Sequence, residues 1–159
     1  MSAKKRKTIA LVAHDARKKA LVEWASWNRD ALARHNIICT GTTGKLIEET
    51  LSIKTEWSSK DLEFNITRLK SGPLGGDQQL GSLIVDGKID LMVFFWDPMQ
   101  QQGHDVDVKA LLRITVLYNI PTACNRATAD FLISSELFDI DYKPKPMDVE
   151  DYLNRQLDI

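Results

Sequence analysis

The sequence predicts an α/β fold of three layers, a Rossmann-like domain in which helices cover both faces of a mainly parallel sheet of about five strands. Two observations lead to this prediction. Short apolar segments alternate along the chain with segments whose apolar residues recur at helical spacing. The apolar segments also lack regular polar alternation, which is typical of strands covered on both faces.

Five segments have the composition of strands. They are expected at Thr8–Ala13, 37–40, 65–70, 91–96 and 120–124. The segment 91–96 is the most apolar of them, so we expect it to be central. The segment 65–70 alternates in polarity, which favours a place near an edge of the sheet.

Each predicted helix presents one apolar face. The first follows Asp15, a residue able to cap it, and its inward side chains are expected to be Leu21, Trp24, Ala25, Ala31 and Leu32. A later helix follows Asp107 in the same way, with inward side chains Val108, Leu111, Leu112 and Val116. The other helices are expected over 43–51, 78–86, 127–134 and 149–157.

Composition excludes several classes of function. The chain has 159 residues and a formal net charge of −1, so we expect one domain over 1–159 and no nucleic-acid partner. Its longest apolar run, 91–96, is too short to span a membrane.

The basic residues within 1–7 are interpreted as a solvated leader, and 139–159 as a C-terminal tail. Without an export signal, the expected compartment is the cytoplasm, with Cys39 and Cys124 as reduced, buried packing residues.

Polar clusters follow four of the predicted strands. The first strand runs into His14, the second into 40–44, the third into 71–77, and the fourth into Asp97 and then His104. The carboxyl ends of parallel strands share one edge of the sheet, where open α/β sheets bind ligands. We therefore expect these distant clusters to meet in one site.

The segment Thr40, Gly41, Thr42, Thr43 and Gly44 has the features of a phosphate cradle. Glycine lets the backbone approach an anion, the hydroxyls add donors, and the helix that follows offers free N–H groups. The segment is not a Walker A loop, because Leu46 stands where a serine or threonine would follow Gly44-Lys45. An ordinary strand–turn–helix with a threonine cap is the alternative. Lys18 and the Ser71–Gly72 segment on the same edge favour phosphate.

Asp77 and His104 are the candidates for acid–base chemistry. Asp77 ends a glycine-rich loop and has the alternative of a simple helix cap. His104 stands in a segment with Asp97, Asp105 and Asp107, and one of the last two is expected to fix its tautomer. That segment also has the ligand types of a metal site, but its spacing fits no metal motif, so no metal is expected.

His14 follows a strand directly, a position where a histidine is usually a core residue bonded to the backbone. Lys18 lies one helical turn later, which favours contact with an anion or a carbonyl.

Seven segments in register resemble the methylglyoxal synthase family over nearly the whole chain. They are 10–15, 40–44, 71–79, 95–98, His104, 107–113 and 127–131. The family converts dihydroxyacetone phosphate into methylglyoxal and phosphate without metal or cofactor.

The resemblance implies roles for individual residues. Asp77 would be the catalytic acid/base and His104 its partner at the carbonyl. The substrate would contact His14, Lys18, Thr40, Gly41, Thr42, Thr43, Ser71 and Gly72. The family also implies a homohexamer and inhibition by phosphate.

The chain departs from the family pattern in two places. The stretch between Gly44 and Ser71 is about ten residues longer than the family pattern, and 56–64 is the predicted insertion at the surface. The C-terminus matches loosely, and Arg155 is the candidate for the family's arginine that reaches a neighbouring subunit.

Two other classes of function stay open at this point. Domains of this type also serve as regulatory ligand-binding parts of larger synthetases, although the presence of both Asp77 and His104 argues against that role. A phosphatase or phosphotransferase would use Asp97 as nucleophile. It would need a second aspartate two residues later, where this chain has Met99.

Overall fold

The computed structural model describes residues 5–56 and 61–157, and within them five parallel strands form one sheet. The strands are β1 (Thr8–Ala13), β2 (Asn36–Thr40), β3 (Asn65–Leu69), β4 (Leu91–Phe95) and β5 (Thr122–Ala123). Their order is β3-β2-β1-β4-β5, and every neighbouring pair is parallel. The predicted fold class is confirmed.

Helices cover both faces of the sheet. They are α1 (Lys18–Trp27), α2 (Arg29–Leu32), α3 (Gly41–Ser52), α4 (Gly76–Val85), α5 (Asp105–Leu117), α6 (Arg126–Ser134) and α7 (Glu150–Leu153). Short 3-10 turns precede α1 and α4 at Asp15–Arg17 and Gly72–Leu74.

The sheet separates two apolar cores because successive strand side chains point to opposite faces. In β1, Ile9 and Leu11 join the core beneath α1, α2, α3 and α6, whereas Ala10 and Val12 join the core beneath α4 and α5. Burying an aliphatic side chain of this size contributes roughly 1.5–3 kcal/mol. The absence of polar alternation in the sequence therefore reflects real burial on both faces.

All five predicted strands are present, but the order within the sheet and the length of the last strand differ from the prediction. β3 is an edge strand, as predicted. The middle strand is β1, whereas the predicted central segment forms β4, one place away from the middle. Only two residues of the predicted strand 120–124 pair with β4.

The predicted helix caps at Asp15 and Asp107 are wrong. His14 and His104 stand at the N-cap positions instead, without capping side-chain bonds. The carboxylate of Asp15 turns to Lys18, and Asp107 lies inside the first turn of α5. The predicted inward position of Val116 is also wrong: this side chain is 66% exposed, and Thr115 is buried in its place.

The last predicted helix is shorter than expected, because α7 covers only Glu150–Leu153 of the segment 149–157.

The residues that precede β1 are bonded to the C-terminal segment. Lys7 is buried and its ammonium donates to the carbonyl oxygen of Ile140 at 2.5 Å. The Lys5 main-chain N–H donates to Asp139. The prediction of a solvated leader is therefore wrong for Lys7, while residues 1–4 lie outside the described part of the chain.

The two cysteines differ in their surroundings. Cys39 is buried, and burial raises the pKa of its thiol to about 12, as suits a packing residue. Cys124 is exposed, so the prediction that both thiols are buried is wrong for this one. It follows β5 at the sheet edge, where the short strand leaves it outside the core.

The predicted insertion 56–64 falls partly outside the described residues, which omit 57–60. Phe64 packs against the core beneath α1. Nearby, the buried Arg29 guanidinium donates to the carbonyl oxygens of Thr50 and Ile53 and so caps the C-terminal end of α3.

Within the described residues, no helix has the length and apolar character needed to cross a membrane.

His35 lies between Lys7, which precedes β1, and Asp139 of the C-terminal segment, and its protonation makes the free energy of unfolding depend on pH. Its buried ring accepts the Lys7 main-chain N–H at Nδ1 (3.1 Å), and Nε2 lies 3.3 Å from Asp139. Burial lowers the pKa of His35, and this outweighs the opposing charge of Asp139. Because the unfolded chain takes up the proton first, stability from this group is present above pH 6.5 and is lost as pH falls through the lower folded pKa.

We predict that the free energy of unfolding falls between pH 7.5 and pH 5.5, and that His35→Asn reduces this fall. Asparagine keeps an acceptor near the Nδ1 position but cannot take up a proton. Urea titrations at both pH values measure the change, each variant being compared with itself at pH 7.5. An equal fall in both proteins would contradict the assignment to His35.

Candidate active site

A cavity of about 820 Å³ opens at the carboxyl ends of β1, β2 and β4. Its wall combines the ends of these strands with the first turns of α3, α4 and α5. The lining residues are Val12, Ala13, His14, Asp15, Lys18, Thr40, Thr42, Thr43, Ser71, Gly72, Pro73, Asp77, Phe94, Gln102, Gly103, His104 and Asp107. The predicted convergence of distant polar clusters is thus present in the structure.

The first turn of α3 has the geometry of an anion cradle. Thr40 ends β2 and the helix begins at Gly41, so the N–H groups of the first turn lack helical partners. Gly41 has a φ of +29°, and a Cβ there would lie 2.6 Å from Ser71 Cα. Glycine is therefore needed for the close contact that joins the 40–44 segment to the 71–77 loop.

Lys18 brings a positive charge to this cradle. Its ammonium donates to Thr42 Oγ1 at 2.7 Å and to Asp15 Oδ1 at 2.5 Å. The hydrogen bond and charge of Lys18 lower the pKa of Asp15, which stays ionised and holds the ammonium in place. Lys18 supplies a cation whose position is fixed before an anion arrives.

The loop before α4 turns back on itself to place Asp77. Gly75 adopts a φ of +102°, and the N–H of Gly76 donates to Ser71 O at 2.9 Å. A Cβ on Gly76 would lie 2.0 Å from the carbonyl oxygen of Lys70. The glycines of this loop therefore allow a sharp turn of the backbone, and this turn places Asp77 beside Ser71 and Gly72.

Asp77 and His104 form a direct pair. Asp77 Oδ2 lies 2.7 Å from His104 Nδ1, and the carboxyl group is only 4% exposed. Asp77 lies in the first turn of α4, and His104 directly precedes α5. These two helices pack on the same face of the sheet. Gly72 lies next to the pair, and a Cβ at this position would come within 3.1 Å of Asp77 Oδ1 and His104 Cε1.

This contact corrects the predicted partner of His104. Asp105 or Asp107 was expected to fix the tautomer, but Nδ1 contacts Asp77. Asp105 instead accepts the main-chain N–H of Gln102 at 3.1 Å, which closes the turn at the start of α5. Asp107 lines the cavity.

His14 presents a hydrogen-bond donor to the cavity. Its Nδ1 accepts the main-chain N–H of Asp97 at 3.0 Å, so a neutral ring carries its proton on Nε2. Burial lowers the pKa of His14 and favours the neutral form. Nε2 is buried and has no partner among the described residues, although the ring lines the cavity. A ligand oxygen would satisfy this donor.

The structure separates the predicted site residues into three groups. Most of them line the cavity. Gly41 and Asp97 lie behind it, where Gly41 joins two loops and Asp97 orients His14 through its backbone and accepts the N–H of Met99. Arg155 is exposed at the C-terminus, stacks on Tyr152 at 3.6 Å and does not line the cavity.

Sequence reasoning missed the role of Asp15 beside Lys18 and the places of Pro73, Phe94 and Gln102 in the wall. The spacing of Asp15 and Lys18, three residues apart at a helix start, was the available signal for the first. Among the described residues, no group of three or more histidine, cysteine, aspartate or glutamate side chains is arranged to hold a metal ion.

Fold and site together define a parallel α/β protein with a carboxylate–imidazole pair beside a helix terminus that has the geometry to bind an anion. Residues 20–124 match the model of the MGS-like domain family. The chain is 55% identical to methylglyoxal synthase of Maridesulfovibrio salexigens over 95% of its own length and 98% of the relative's. It is 50% identical to methylglyoxal synthase of Coxiella burnetii over 94% and 96% of the two chains.

A solved structure agrees with these relatives. The crystal structure of methylglyoxal synthase from Elizabethkingia anophelis superposes with a TM-score of 0.84 at 48% identity, covering 99% of this chain and 96% of that one. The chain belongs to the methylglyoxal synthase family.

We predict that Gly72→Ala lowers activity at least about tenfold without unfolding the protein. The added Cβ would lie 3.1 Å from both Asp77 Oδ1 and His104 Cε1, where a substrate has to approach. Gly81→Ala, in α4, is the matched control because its Cβ would meet nothing within 4 Å. Steady-state kinetics and melting temperatures of both variants make the comparison, and full activity in Gly72→Ala would show that the space above the pair is not used.

Proposed function

We propose that this protein is a carbon–oxygen lyase that converts dihydroxyacetone phosphate into methylglyoxal and inorganic phosphate. The observation that carries the proposal is the Asp77–His104 pair, 2.7 Å apart, in the same cavity as a phosphate cradle. Relatives named methylglyoxal synthase, about half identical over nearly the whole chain, support the same activity.

The substrate's phosphate binds at the first turn of α3. Free N–H groups and the helix dipole favour an anion there, and the hydroxyls of Thr40, Thr42 and Thr43 line the same wall. Lys18 adds a fixed positive charge, and Ser71 lines the same cavity. The three-carbon part of the substrate then extends from the cradle toward Gly72 and the Asp77–His104 pair.

Asp77 removes a proton from the hydroxymethyl carbon next to the ketone. Its Oδ2 accepts a hydrogen bond from His104, which leaves Oδ1, the atom nearest to Gly72, to take the proton. The electrons of the carbon–hydrogen bond move into an enediolate. Because the carboxyl group is buried, little water competes for the position beside the substrate.

The two histidines differ in where they carry their protons, and this suggests separate tasks. His14, with its proton on Nε2, donates to the ketone oxygen and stabilises the charge that develops there. His104 donates through Nδ1 to Asp77, so its neutral ring has a free electron pair at Nε2. The family resemblance implies that His104 contacts the carbonyl, whereas this geometry supports His14 for that contact and His104 as a proton acceptor.

Phosphate leaves in the second step. His104 Nε2 accepts the proton of the substrate hydroxyl, that carbon becomes an aldehyde, and the double bond moves to the phosphate-bearing carbon as its bond to oxygen breaks. The enolate of methylglyoxal that remains takes up one of the two protons held by Asp77 and His104 at its terminal carbon, and the leaving phosphate takes up the other, which restores both residues. The cradle holds the breaking bond out of the enediolate plane, which separates elimination from simple isomerisation.

A regulatory ligand-binding domain of the same fold is the second candidate. It would need the cradle but neither a buried base nor a histidine bonded to it. The relatives of the same length carry the name of an enzyme, which favours catalysis.

We further propose that the protein works in the cytoplasm as a homohexamer inhibited by phosphate, with Arg155 extending to a neighbouring subunit. Exposed apolar side chains support association of copies, among them Trp27, Leu74, Met99, Val106 and Phe131. The cradle accepts free phosphate for the same reason that it accepts the substrate's phosphate. Light scattering, with and without phosphate, measures the assembly.

Asp77→Asn is expected to lower kcat by a factor of about 10² to 10⁴ while phosphate binding persists, because asparagine keeps the size of the side chain but cannot accept the carbon-bound proton. Methylglyoxal formation and calorimetric titration with phosphate measure the two properties. Near wild-type turnover would remove Asp77 from the mechanism.

His104→Gln is expected to retain slow enolisation and to lose phosphate release. Glutamine can still donate toward Asp77 but cannot take up the proton of the hydroxyl. The test compares exchange of the substrate's carbon-bound hydrogen in deuterated solvent with release of phosphate. If both rates match the wild type, His104 is only structural, and if both vanish in a folded, phosphate-binding variant, the division into two steps is wrong.

A further inference from the structure

The peptide unit of Lys70 joins three parts of the site. Lys70 follows the last paired residue of β3, Leu69, and directly precedes Ser71. Its carbonyl oxygen accepts the N–H of Gly41 at 3.2 Å, where the phosphate cradle begins. Its N–H donates to the side-chain oxygen of Gln79 at 2.8 Å. The cradle, the 71–77 loop and α4 are therefore linked through one peptide group.

Gln79 holds the 71–77 loop at both ends. Its Oε1 binds the N–H of Lys70 before the loop, and its own main-chain N–H donates to Gly75 O at 3.0 Å near the loop's end. The residue lies in α4, two positions after Asp77. One glutamine thus connects the helix that carries the proposed base to the strand end that leads to Ser71.

Because the loop is tightly packed, the bond between Lys70 and Gln79 affects the position of the base Asp77. A Cβ on Gly76 would lie only 2.0 Å from Lys70 O and 2.8 Å from the carbonyl carbon of Ser71, so the two limbs of the loop touch. The pairing of β3 with β2 ends at Leu69 and does not hold the N–H of Lys70. If the hydrogen bond to Gln79 is lost, the Lys70 N–H bonds to water instead, and Lys70 and Ser71 are free to shift relative to Asp77.

We propose that Gln79 is a positioning residue that sets the distance between the Ser71–Gly72 side of the cavity and the base Asp77. It is exposed and does not line the cavity, so it acts through the loop and not on the substrate. The inference rests on the proposed role of Asp77 as the base. A misplaced base lowers the rate of proton removal far more than it weakens the binding of phosphate, which the α3 terminus and Lys18 hold.

Three variants test the inference. Gln79→Leu removes the acceptor at similar size, Gln79→Glu keeps an acceptor oxygen, and Gln78→Leu removes the neighbouring exposed glutamine as a control. We expect Gln79→Leu to lower kcat about tenfold, with KM and inhibition by phosphate changed less than about twofold. Gln79→Glu should retain about half or more of kcat, and Gln78→Leu should match the wild type.

Wild-type kcat in Gln79→Leu overturns the inference, and so does an equal loss in Gln79→Leu and Gln79→Glu. A rise in KM with unchanged kcat also contradicts it. Gln79→Ala, a conservative change on an exposed helix position, replaces the leucine variant if circular dichroism shows that variant to be unfolded. If Asp77→Asn is inactive while Gln79→Leu is fully active, this inference fails and the proposed function stands. If Asp77→Asn turns over at the wild-type rate, the proposed base fails and this inference with it, and if the wild type forms no methylglyoxal, the proposed function itself fails.

Discussion

The contact between Asp77 and His104 is the interaction on which the site depends. It joins the first turn of α4 to the residue before α5, and these helices share the core formed by Ala10, Val12 and their neighbours on one face of the sheet. The packing of two helices thus sets the 2.7 Å separation of a carboxylate from an imidazole. Any change that shifts α4 against α5 acts on this pair before it acts on the anion cradle, which lies at the start of α3 on the other face of the sheet.

The charges of the cavity are arranged so that few of them are unpaired before the ligand arrives. Lys18 is the one lysine or arginine among the described lining residues, and Asp15 already pairs with it. His14 is favoured in the neutral form by burial, which avoids a buried charge without a partner. An anion would therefore be held mainly by dipoles, hydroxyls and N–H groups. Such donors are already aligned and need little reorganisation when charge develops in the reaction.

The sequence predicted the parts of this site whose position follows from topology. Thr40–Gly44, Asp77 and His104 come together because each follows a parallel strand, and that relation can be inferred from the alternation of strands and helices. The partners of individual side chains could not be inferred in this way. Asp105 and Asp77 were both near His104 by topology, and only the turn at Gly75 and Gly76 decides that Asp77 reaches Nδ1. The burial of Lys7 depends likewise on the return of the C-terminal segment to Ile140, a contact between residues 133 positions apart.

The central claim is that this cavity carries out elimination of phosphate through an enediolate. The most direct measurement is the ratio of products that the purified wild-type chain forms from dihydroxyacetone phosphate in the presence of EDTA. We predict methylglyoxal and inorganic phosphate in a one-to-one ratio. Phosphate with dihydroxyacetone would indicate a phosphatase, glyceraldehyde 3-phosphate without phosphate would indicate an isomerase, and activity restored only by added metal would overturn the cofactor-free reaction. Any of these results would contradict the account.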